Sequence, residues 1–434
     1  MKQWLVAVGL CGFIGVTQAA EVILRLHGSN TIGAELAPAL VQDWLRGKGF
    51  GAIRAEAVAA EETRIRAVDR NGRDVMVEIQ AHGSTTAFTS LEQGRADIGM
   101  ASRAVKVAEV TRLASLGALD RHDAEFVVGL DGVAVIVHPA NPLTALDVDT
   151  LRGIFSGRIR DWAEVGGQAG PITLYARDDK SGTYDTFKSL VLGKEALAPG
   201  AQRFESSSDL SDRVAADVNG IGFIGLPYVR QARALAVAER GGSPILPESF
   251  SVATEDYALA RRLYLYLPSR KPLPLAREFA EFAQARAGQK IVEQTGFVSQ
   301  NILAVGVAAQ QEAPAEYLDL TQGARRLSLN FRFHQGSAQL DSKAMRDLER
   351  LLRYMQEETQ TRQVMLFGFS DHDEVLPLHS WELSVNRVDV VADRLLSMGI
   401  VPVRVRGYGS ALPVAANDSE LGRRKNRRVE VWVQ

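Results

Sequence analysis

Residues 171–192 read "PITLYARDDKSGTYDTFKSLVL", and in this stretch an apolar, β-branched run enters a polar turn that opens a helical pattern. A strand that leads through a short turn into a helix is typical of α/β proteins. The turn carries Arg177 and the tripeptide Ser181-Gly182-Thr183, which offer guanidinium, hydroxyl and backbone N–H donors. Such donors at a helix start suit a small oxyanion, although the hydroxyls could equally cap an ordinary helix.

The same alternation of strands and helices extends from residue 21 to about residue 305. The runs that predict strands are EVILRLHGS, VMVEIQAHGS, ADIGMAS, AEFVVGL, GVAVIVHP, PITLYARD, GIGFIG and RRLYLYLP. The segments with helical spacing are AELAPALVQDWLR, VDTLRGIFSG, DTFKSLVL and LAREFAEFAQARAGQKIVEQTG. We therefore expect an α/β fold with helices on both faces of its sheets, which binds ligands at the carboxyl ends of its strands.

The composition excludes several classes of function. A formal net charge of −2 gives no general attraction to nucleic acid or to an anionic membrane, so an anion would need a local pocket. The 7 histidines are scattered without HExxH or other metal-ligand spacing, and no GxxxxGK[ST] phosphate loop is present. No serine of the turns has a histidine or a metal cluster at a recognisable spacing. We expect no catalytic residues, no metal and no cofactor.

The first 20 residues, MKQWLVAVGLCGFIGVTQAA, have the pattern of a secretory signal peptide, with Lys2 ahead of an apolar run and small residues around Ala19. The single cysteine of the chain, Cys11, lies inside this run and would be removed with it. We expect an exported protein in the periplasm of a Gram-negative-type bacterium.

A chain of 434 residues suggests two or three domains. Residues 21–307 carry the α/β pattern, and the polar stretch 308–326, with its Ala, Gln and Glu, predicts a linker. Residues 327–434 form a second unit, in which two helical segments alternate with four strand-like runs. This pattern predicts a small α+β sandwich.

Three further strand-to-turn junctions resemble the first: HGSNTI at 27–32, HGSTTA at 82–87 and ADIGMASR at 96–103. One Gly-Ser turn usually only begins a helix. Four such turns at strand ends could together replace the water around a tetrahedral anion, because a buried anion must find fixed donors. The alternative for Arg103 and Arg177 is surface ion pairing, with Asp97 or with Asp178 and Asp179.

Residues 21–300 resemble the periplasmic solute-binding proteins of phosphate ABC transporters. The resemblance rests on "GVAVIVHPANPLTALDVDTLRGIFSGRIRDWAEVGG" (132–167), "ARDDKSGTYDTF", "NGIGFIGLPYV" (219–229) and "AQARAGQKIVEQTGFV". It implies two lobes of the type II-like periplasmic-binding-protein fold that close over phosphate. The residues implied to hold the anion are Thr31, Ile32, Ser84, Ser102, Arg103, Arg177, Ser181, Gly182 and Thr183. Ile32 would give only its backbone N–H. At Ser102 the chain lacks the aspartate with which well-known members accept a proton from phosphate, so sulfate stays an alternative.

Residues 327–434 resemble the OmpA-like peptidoglycan-binding domain, through "FRFHQGSAQLDSKAMRDLERL", "VMLFGFSD", "ELSVNRVDVVADRLLSMGI" and "GRRKNRRVEVWV". The resemblance implies that Asp371 and Arg387 hold the amine and the carboxylate of a diaminopimelate stem peptide. A zwitterionic group needs one anion and one cation at a fixed separation. The loop before Leu383 departs from the family pattern, and the alternative is a turn cap at Asp371 and a solvated helix face at Arg387.

The sequence thus favours a non-catalytic protein that captures phosphate, for an ABC permease or for scavenging, and is tethered to peptidoglycan. The alternative is an envelope-organising or sensing adaptor with a vestigial anion pocket. An enzyme such as a phosphatase is the third class, disfavoured because a nucleophile needs an adjacent base or a metal. Nucleic acid is not an expected partner, since the basic cluster Arg423–Arg428 belongs to the pattern of the second unit.

Overall fold

The computed structural model describes residues 20–179, 181–239, 242–270, 272–307, 312–334, 337–357, 363–372, 377–417 and 420–434. The predicted signal peptide therefore lies outside the described residues, apart from Ala20.

Eighteen strands follow one another in the described residues. They are β1 (Glu21–Gly28), β2 (Gly51–Ala59), β3 (Glu62–Val68), β4 (Asp74–Gln80), β5 (Ile98–Ala101), β6 (Glu125–Val137), β7 (Ala145–Asp147), β8 (Thr173–Arg177), β9 (Gln202–Phe204), β10 (Gly220–Gly225), β11 (Arg233–Ala234), β12 (Ala236–Ala238), β13 (Ala260–Tyr266), β14 (Ala304–Val305), β15 (Arg325–Arg332), β16 (Val364–Phe369), β17 (Pro402–Gly407) and β18 (Arg428–Val433).

The α-helices of the described residues alternate with these strands. They are α1 (Asn30–Gly33), α2 (Leu36–Gly47), α3 (Ser84–Glu92), α4 (Val107–Arg112), α5 (Val148–Phe155), α6 (Gly182–Phe187), α7 (Ser207–Ala216), α8 (Ser249–Ala253), α9 (Pro274–Gln284), α10 (Arg286–Gln294), α11 (Ala315–Thr321), α12 (Ser342–Glu357), α13 (Pro377–Ser397) and α14 (Glu420–Asn426). The α/β class predicted from the sequence is confirmed.

A mixed sheet runs through both lobes, with strand order β2-β3-β4-β1-β5-β13-β6-β10-β8-β9 and β11 paired to β6. The first lobe contains β1–β5 with α2, α9 and α10, and the second contains β7–β12 with α5–α8. The pairs β1–β4, β1–β5, β8–β10 and β8–β9 are parallel. Their carboxyl ends lead into α1, α3 and α6, which carry the hydroxyl-rich turns.

Strands β6 and β13 connect the two lobes. All 13 residues of β6 are buried, and its first half packs in the core of the first lobe while its second half packs in the core of the second. The sequence predicted two separate strands here, AEFVVGL and GVAVIVHP, and this is wrong. The chain stays extended through Asp131 and Gly132 because β13 pairs across both, with Arg261 and Ala260 as the partners. We call β6 and β13 the hinge strands.

Two further predictions about elements need correction. The segment 275–296, predicted as one helix, forms two helices, because Ala285 takes the extended conformation (φ −74°, ψ 165°) between α9 and α10. The hairpin of β2 and β3 was not predicted. Most of β2 is exposed, so it lacks the alternation of apolar and polar residues that marks a half-buried strand.

The C-terminal module is a sheet of order β14-β15-β18-β16-β17, with α12 and α13 packed on one face. Its other face carries an aromatic cluster of Tyr317, Phe367, Phe369 and Trp432. Tyr317 belongs to α11, inside the stretch predicted as a linker, and its hydroxyl donates to Glu430 Oε2 at 2.8 Å. The described part of that stretch is thus folded onto the module. No helix in the described ranges is long and apolar enough to cross a membrane.

Candidate functional site

A cleft of about 540 Å³ lies between the two lobes. The first lobe contributes Asn30, Thr31, Glu35 and Glu61 to its walls, and the second contributes Arg177, the tripeptide Ser181–Thr183 and the serines 206–208. Asp131 of the hinge strand β6 also lines it. The structure therefore brings five of the predicted anion ligands to one place: Thr31, Arg177, Ser181, Gly182 and Thr183.

Arg177 ends β8 and is held on the cleft wall by the segment that follows β9. Its Nε donates to Phe204 O at 3.2 Å, its Nη2 donates to Glu205 O at 2.7 Å, and its Nη1 donates to Ser207 Oγ. A guanidinium has five N–H donors, so these three bonds orient the group and leave two for a ligand. Burial lowers the pKa of Arg177, and the carboxylate of Asp178 partly offsets this effect.

Ser181 precedes α6 as its N-cap residue, in an extended conformation (φ −72°, ψ 126°). Its side chain makes no capping hydrogen bond to the helix, so the cap alternative left open by the sequence does not account for this hydroxyl. The N–H groups at the start of an α-helix have no partner within the helix. Gly182 and Thr183 occupy the first two positions of α6, and their N–H groups are therefore available to a bound anion.

Thr31 faces this turn from the other lobe. Its Oγ1 lies 3.5 Å from the carbonyl oxygen of Gly182, so the two lobes meet at this point. Thr31 is 6% exposed. Its neighbour Ile32 is fully buried in the core of the first lobe, which limits it to the backbone N–H that the sequence assigned to it.

Ser84 and Ser102 contact each other within the first lobe. Ser102 N donates to Ser84 Oγ at 3.0 Å, and the two hydroxyl oxygens are 3.2 Å apart. Neither residue lines the cleft as it stands. Both follow the same sheet edge as Thr31, and their role as anion ligands stays a prediction.

Arg103 does not reach the cleft either. Its Nη1 and Nη2 donate to the two carboxylate oxygens of Glu109 at 2.8 Å and 2.7 Å, and its guanidinium lies 5.0 Å from the ring centre of Phe88. The ion-pair alternative considered for Arg103 therefore describes this side chain, with Glu109 in place of Asp97. A role in binding would require this two-pronged pair to open, and remains a prediction.

The sequence interpretation missed Arg261 of the hinge strand β13. Its Nη2 donates to Thr31 Oγ1 at 2.7 Å and to Gly182 O at 2.9 Å, so one guanidinium joins the two lobes. Its Nε donates to Asp131 Oδ2 at 3.3 Å, and that oxygen also accepts from Thr186. Burial lowers the pKa of Arg261, while Asp131 and Asp185 counteract the shift. Two charged residues inside the apolar strand run RRLYLYLP were the available signal.

The charge of the cleft is unusual for an anion site. Among the described residues that line it, Arg177 is the one cation, against the carboxylates Glu35, Glu61, Asp131, Asp178 and Glu205. Long-range attraction therefore does not favour an anion here. An anion would be retained by directed hydrogen bonds from hydroxyl, N–H and guanidinium donors.

The two residues predicted to bind peptidoglycan are buried in the C-terminal module. Asp371 is 1% exposed and accepts from Arg427 Nη1 at 2.7 Å. Arg387 is fully buried, donates from Nε to Ser337 O at 3.3 Å and lies over the ring of Phe333. The loop predicted to be atypical falls partly outside the described residues, at 373–376. The role of Asp371 and Arg387 in binding peptidoglycan stays a prediction.

Groups of three or more His, Cys, Asp or Glu side chains that could hold a metal ion are absent from the described part of the chain.

Two family profiles match the chain. The profile of the PBP superfamily domain matches residues 56–286, just over half of the chain, and the profile of the OmpA family matches residues 332–427.

Curated relatives of the larger module are named phosphate-binding proteins. The phosphate-binding protein PstS of Pseudomonas aeruginosa is 28% identical over 242 residues, which cover 52% of this chain and 74% of that protein. PstS of Bacillus subtilis is 30% identical over 227 residues, which cover 52% of this chain and 71% of that protein. A solved structure of a possible phosphate binding protein from Planctomyces limnophilus matches with a TM-score of 0.52 at 20% identity. It covers 70% of this chain and 97% of its own, and shows a shared fold.

Proposed function

Because the chain belongs to the PBP superfamily and carries an OmpA family domain at its C-terminal end, we propose that it is a non-catalytic receptor for inorganic phosphate or a similar tetrahedral oxyanion. The observation that carries the proposal is the position of Arg177 and the turn Ser181–Thr183 opposite Thr31 in one cleft. The names of the relatives, all matched over this module, support phosphate as the anion.

Because both lobes offer donors, the anion would bind between them, and the two lobes would close over it. Tetrahedral anions are strong acceptors, and their transfer from water is favourable only where fixed donors replace the hydration shell. Arg177 supplies the charge-assisted bonds, and the first turn of α6 supplies N–H groups. The arrangement performs binding and needs no chemical step.

The first experiment is isothermal titration of the full chain with phosphate, sulfate and arsenate, repeated on Arg177→Met. We expect wild-type binding of phosphate and a loss of about 30-fold or more in the variant, because truncating one partner of a buried charged pair costs roughly 2 kcal/mol or more. Arg160→Met is the control, since Arg160 is an exposed arginine of the same lobe that donates to Gly157 O at 2.7 Å. No heat with any oxyanion would refute the function.

The alternative of an envelope-organising adaptor with a vestigial pocket is favoured by one observation, the excess of carboxylates on the cleft walls. The same titration separates the two functions. An adaptor of this kind would remain inert to every oxyanion while still attaching to the cell wall.

For the C-terminal module we propose attachment to peptidoglycan in the periplasm, through the amine and carboxylate of a diaminopimelate stem peptide at Asp371 and Arg387. The OmpA family match supports this role. Attachment to the wall would raise the local concentration of the receptor without changing its intrinsic affinity. A membrane permease that receives the anion is a proposed partner of the two-lobed module.

The attachment is tested by sedimenting the full chain with purified peptidoglycan. We expect free diaminopimelic acid to release the bound protein, and Asp371→Asn to weaken retention by about tenfold or more, because a charge-assisted bond to the amine is lost. The control is Asp319→Asn, which changes an exposed aspartate of α11. Retention that neither the free amino acid nor the Asp371 variant reduces would contradict the proposed site.

A further inference from the structure

The hinge strand β13 carries two consecutive arginines whose side chains face opposite sides. Neighbouring residues of a strand alternate between its two faces. Arg261 turns toward the cleft, where it joins Thr31, Gly182 and Asp131. Arg262 turns toward the C-terminal module.

Arg262 is almost completely enclosed, with 3% of its side chain exposed. Its Nε and Nη2 donate to the carboxylate oxygens of Glu255, each at 2.8 Å, and its Nη1 donates to Asp341 Oδ2 at 2.7 Å. Asp341 belongs to the C-terminal module and also accepts from Ala344 N at 2.8 Å, at the start of α12. A buried ion pair therefore joins the hinge to the second module.

The segment that leads into β13 is held by the same module at several points. Asn330 donates to Thr254 O at 2.9 Å, Arg326 donates to Asp256 Oδ2 at 2.8 Å, and Lys425 donates to Ala258 O at 3.0 Å. All three donors are at least nine-tenths buried. Side chains of the C-terminal module thus hold residues 254–262 by hydrogen bonds. The last residue held in this way is Arg262, which is next to Arg261.

We propose that Asp341 and Arg262 are positioning residues for the anion cleft, acting through the hinge strand β13 on Arg261. The inference rests on the proposed function of the cleft. Closure of the lobes requires the hinge strands to move, and a strand anchored on one side by a buried ion pair has a restricted set of positions. The anchored position is the one in which the Arg261 guanidinium reaches both Thr31 and Gly182. The C-terminal module therefore contributes to anion affinity without contacting the anion.

The test is Asp341→Asn in the full chain. Asparagine retains the oxygen that accepts from Ala344 N, and it is as good an N-cap as aspartate, so the start of α12 is preserved. The variant removes one of the two carboxylate charges that face Arg262 and leaves that of Glu255 in place. We expect the dissociation constant for phosphate to rise by about 2- to 30-fold, the range typical of residues that couple distant sites. The dissociation rate constant, measured by stopped-flow displacement, should rise with it.

The matched control is Glu316→Gln, which removes an exposed ion pair with Arg406 (2.9 Å) in the same module and leaves the hinge untouched. Circular dichroism and thermal unfolding of the free proteins establish that each variant is folded at the temperature of the titration. Where Asp341→Asn fails to fold, Arg262→Lys replaces it; lysine keeps the charge but loses the two-pronged contact with Glu255, and at least a twofold loss of affinity is expected.

A folded variant that binds and releases phosphate as the wild type does would overturn the positioning role and leave the receptor function standing. Equal losses in Asp341→Asn and Glu316→Gln would also overturn it, because they would reflect general loosening of the module. A wild-type chain that binds no phosphate would remove both proposals.

Discussion

At the scale of single residues, the cleft depends on an absent side chain at Gly182. A Cβ built at this position would lie 2.6 Å from Thr31 Cα and 2.7 Å from Thr31 Oγ1, much closer than real Cβ contacts. The first turn of α6 and the first lobe can approach each other only because this position has no side chain.

We therefore expect Gly182→Ala to prevent full closure of the lobes and to weaken phosphate binding by about 5- to 150-fold, since overpacking typically costs 1–3 kcal/mol. Titration calorimetry measures the effect. Gly200→Ala is the control in the same lobe, because a Cβ at Gly200 has no atom within 4 Å. Unaltered affinity in Gly182→Ala would show that ligand binding does not bring the lobes to this separation.

The predicted site residues that the structure brings to the cleft share one property, which is position in a local motif. Arg177 and Ser181–Thr183 lie within eight residues of each other, so a strand-to-helix turn predicts them together. Arg261 could not be found in this way, because its partners Thr31 and Gly182 are 230 and 79 positions away. Arg103 shows that a partner close in sequence can also be missed. Its carboxylate partner Glu109 is six residues away, but only the fold orients the two side chains toward each other.

At the scale of elements, the hinge strands β6 and β13 carry a buried acid at one end. Glu125 opens β6, is 8% exposed and accepts from Tyr266 Oη at 3.0 Å. Burial raises the pKa of Glu125 to about 7; the charge of Asp341 adds to the shift, and the charge of Arg262 opposes it.

The raised pKa makes the hinge sensitive to pH. The unfolded chain ionises Glu125 near its ordinary pKa of 4.5, whereas the folded chain ionises it near 7. The stabilising contribution of the neutral acid is therefore complete below pH 4.5 and is lost as pH rises to about 7. Glu125→Gln keeps the acceptor for Tyr266 and abolishes the titration.

We expect Glu125→Gln to be more stable than wild type at pH 8, by on the order of 3 kcal/mol, with the difference shrinking toward zero at pH 4.5. Urea unfolding of both proteins at the two pH values provides the comparison. A difference that is the same at both values would mean that Glu125 does not change its charge between them.

The elements themselves were predictable where burial leaves a pattern. Strand β10 has the uninterrupted apolar sequence GIGFIG because both of its faces are covered. Helix α2 shows the apolar spacing of a helix packed on a sheet. The continuity of β6 could not be predicted, since its tertiary partner β13 decides it. The break between α9 and α10 could not be predicted either, because neither glycine nor proline stands at position 285 to mark it. In β6 the pairing with β13 keeps Gly132 extended, although glycine is common in turns.

At the scale of the whole molecule, buried charged side chains of the two modules form ion pairs with each other. Asp256 of the two-lobed module is 4% exposed and accepts from Arg326 at 2.8 Å, from Asn330 at 2.9 Å and from Arg332 at 3.3 Å. Burial opposes ionisation of this carboxyl, but the charges of Arg326, Arg428 and Arg332 outweigh it and hold its pKa below the ordinary value.

We expect the wild-type chain to unfold in one cooperative calorimetric transition that includes both modules. Asp256→Asn should destabilise the protein by about 3–5 kcal/mol and separate the transition into two, because it removes one of the counter-charges of the buried guanidinium groups of Arg326 and Arg332. Asp212→Asn, which alters an exposed pair with Arg230 (3.4 Å), should cost less than about 1 kcal/mol. Two transitions in the wild type would mean that the modules unfold independently.

Arg261 and Arg262 lie on opposite faces of β13. The number of residues ahead of them in the strand therefore decides which arginine faces which side. Inserting or deleting one amino acid ahead of this pair would rotate both side chains to the opposite faces. The guanidinium that now bonds Thr31 and Gly182 would then meet Glu255 and Asp341, and its neighbour would meet Thr31. The contacts on the two sides of the strand therefore fix its residue count ahead of the arginine pair as well as the identity of the pair itself.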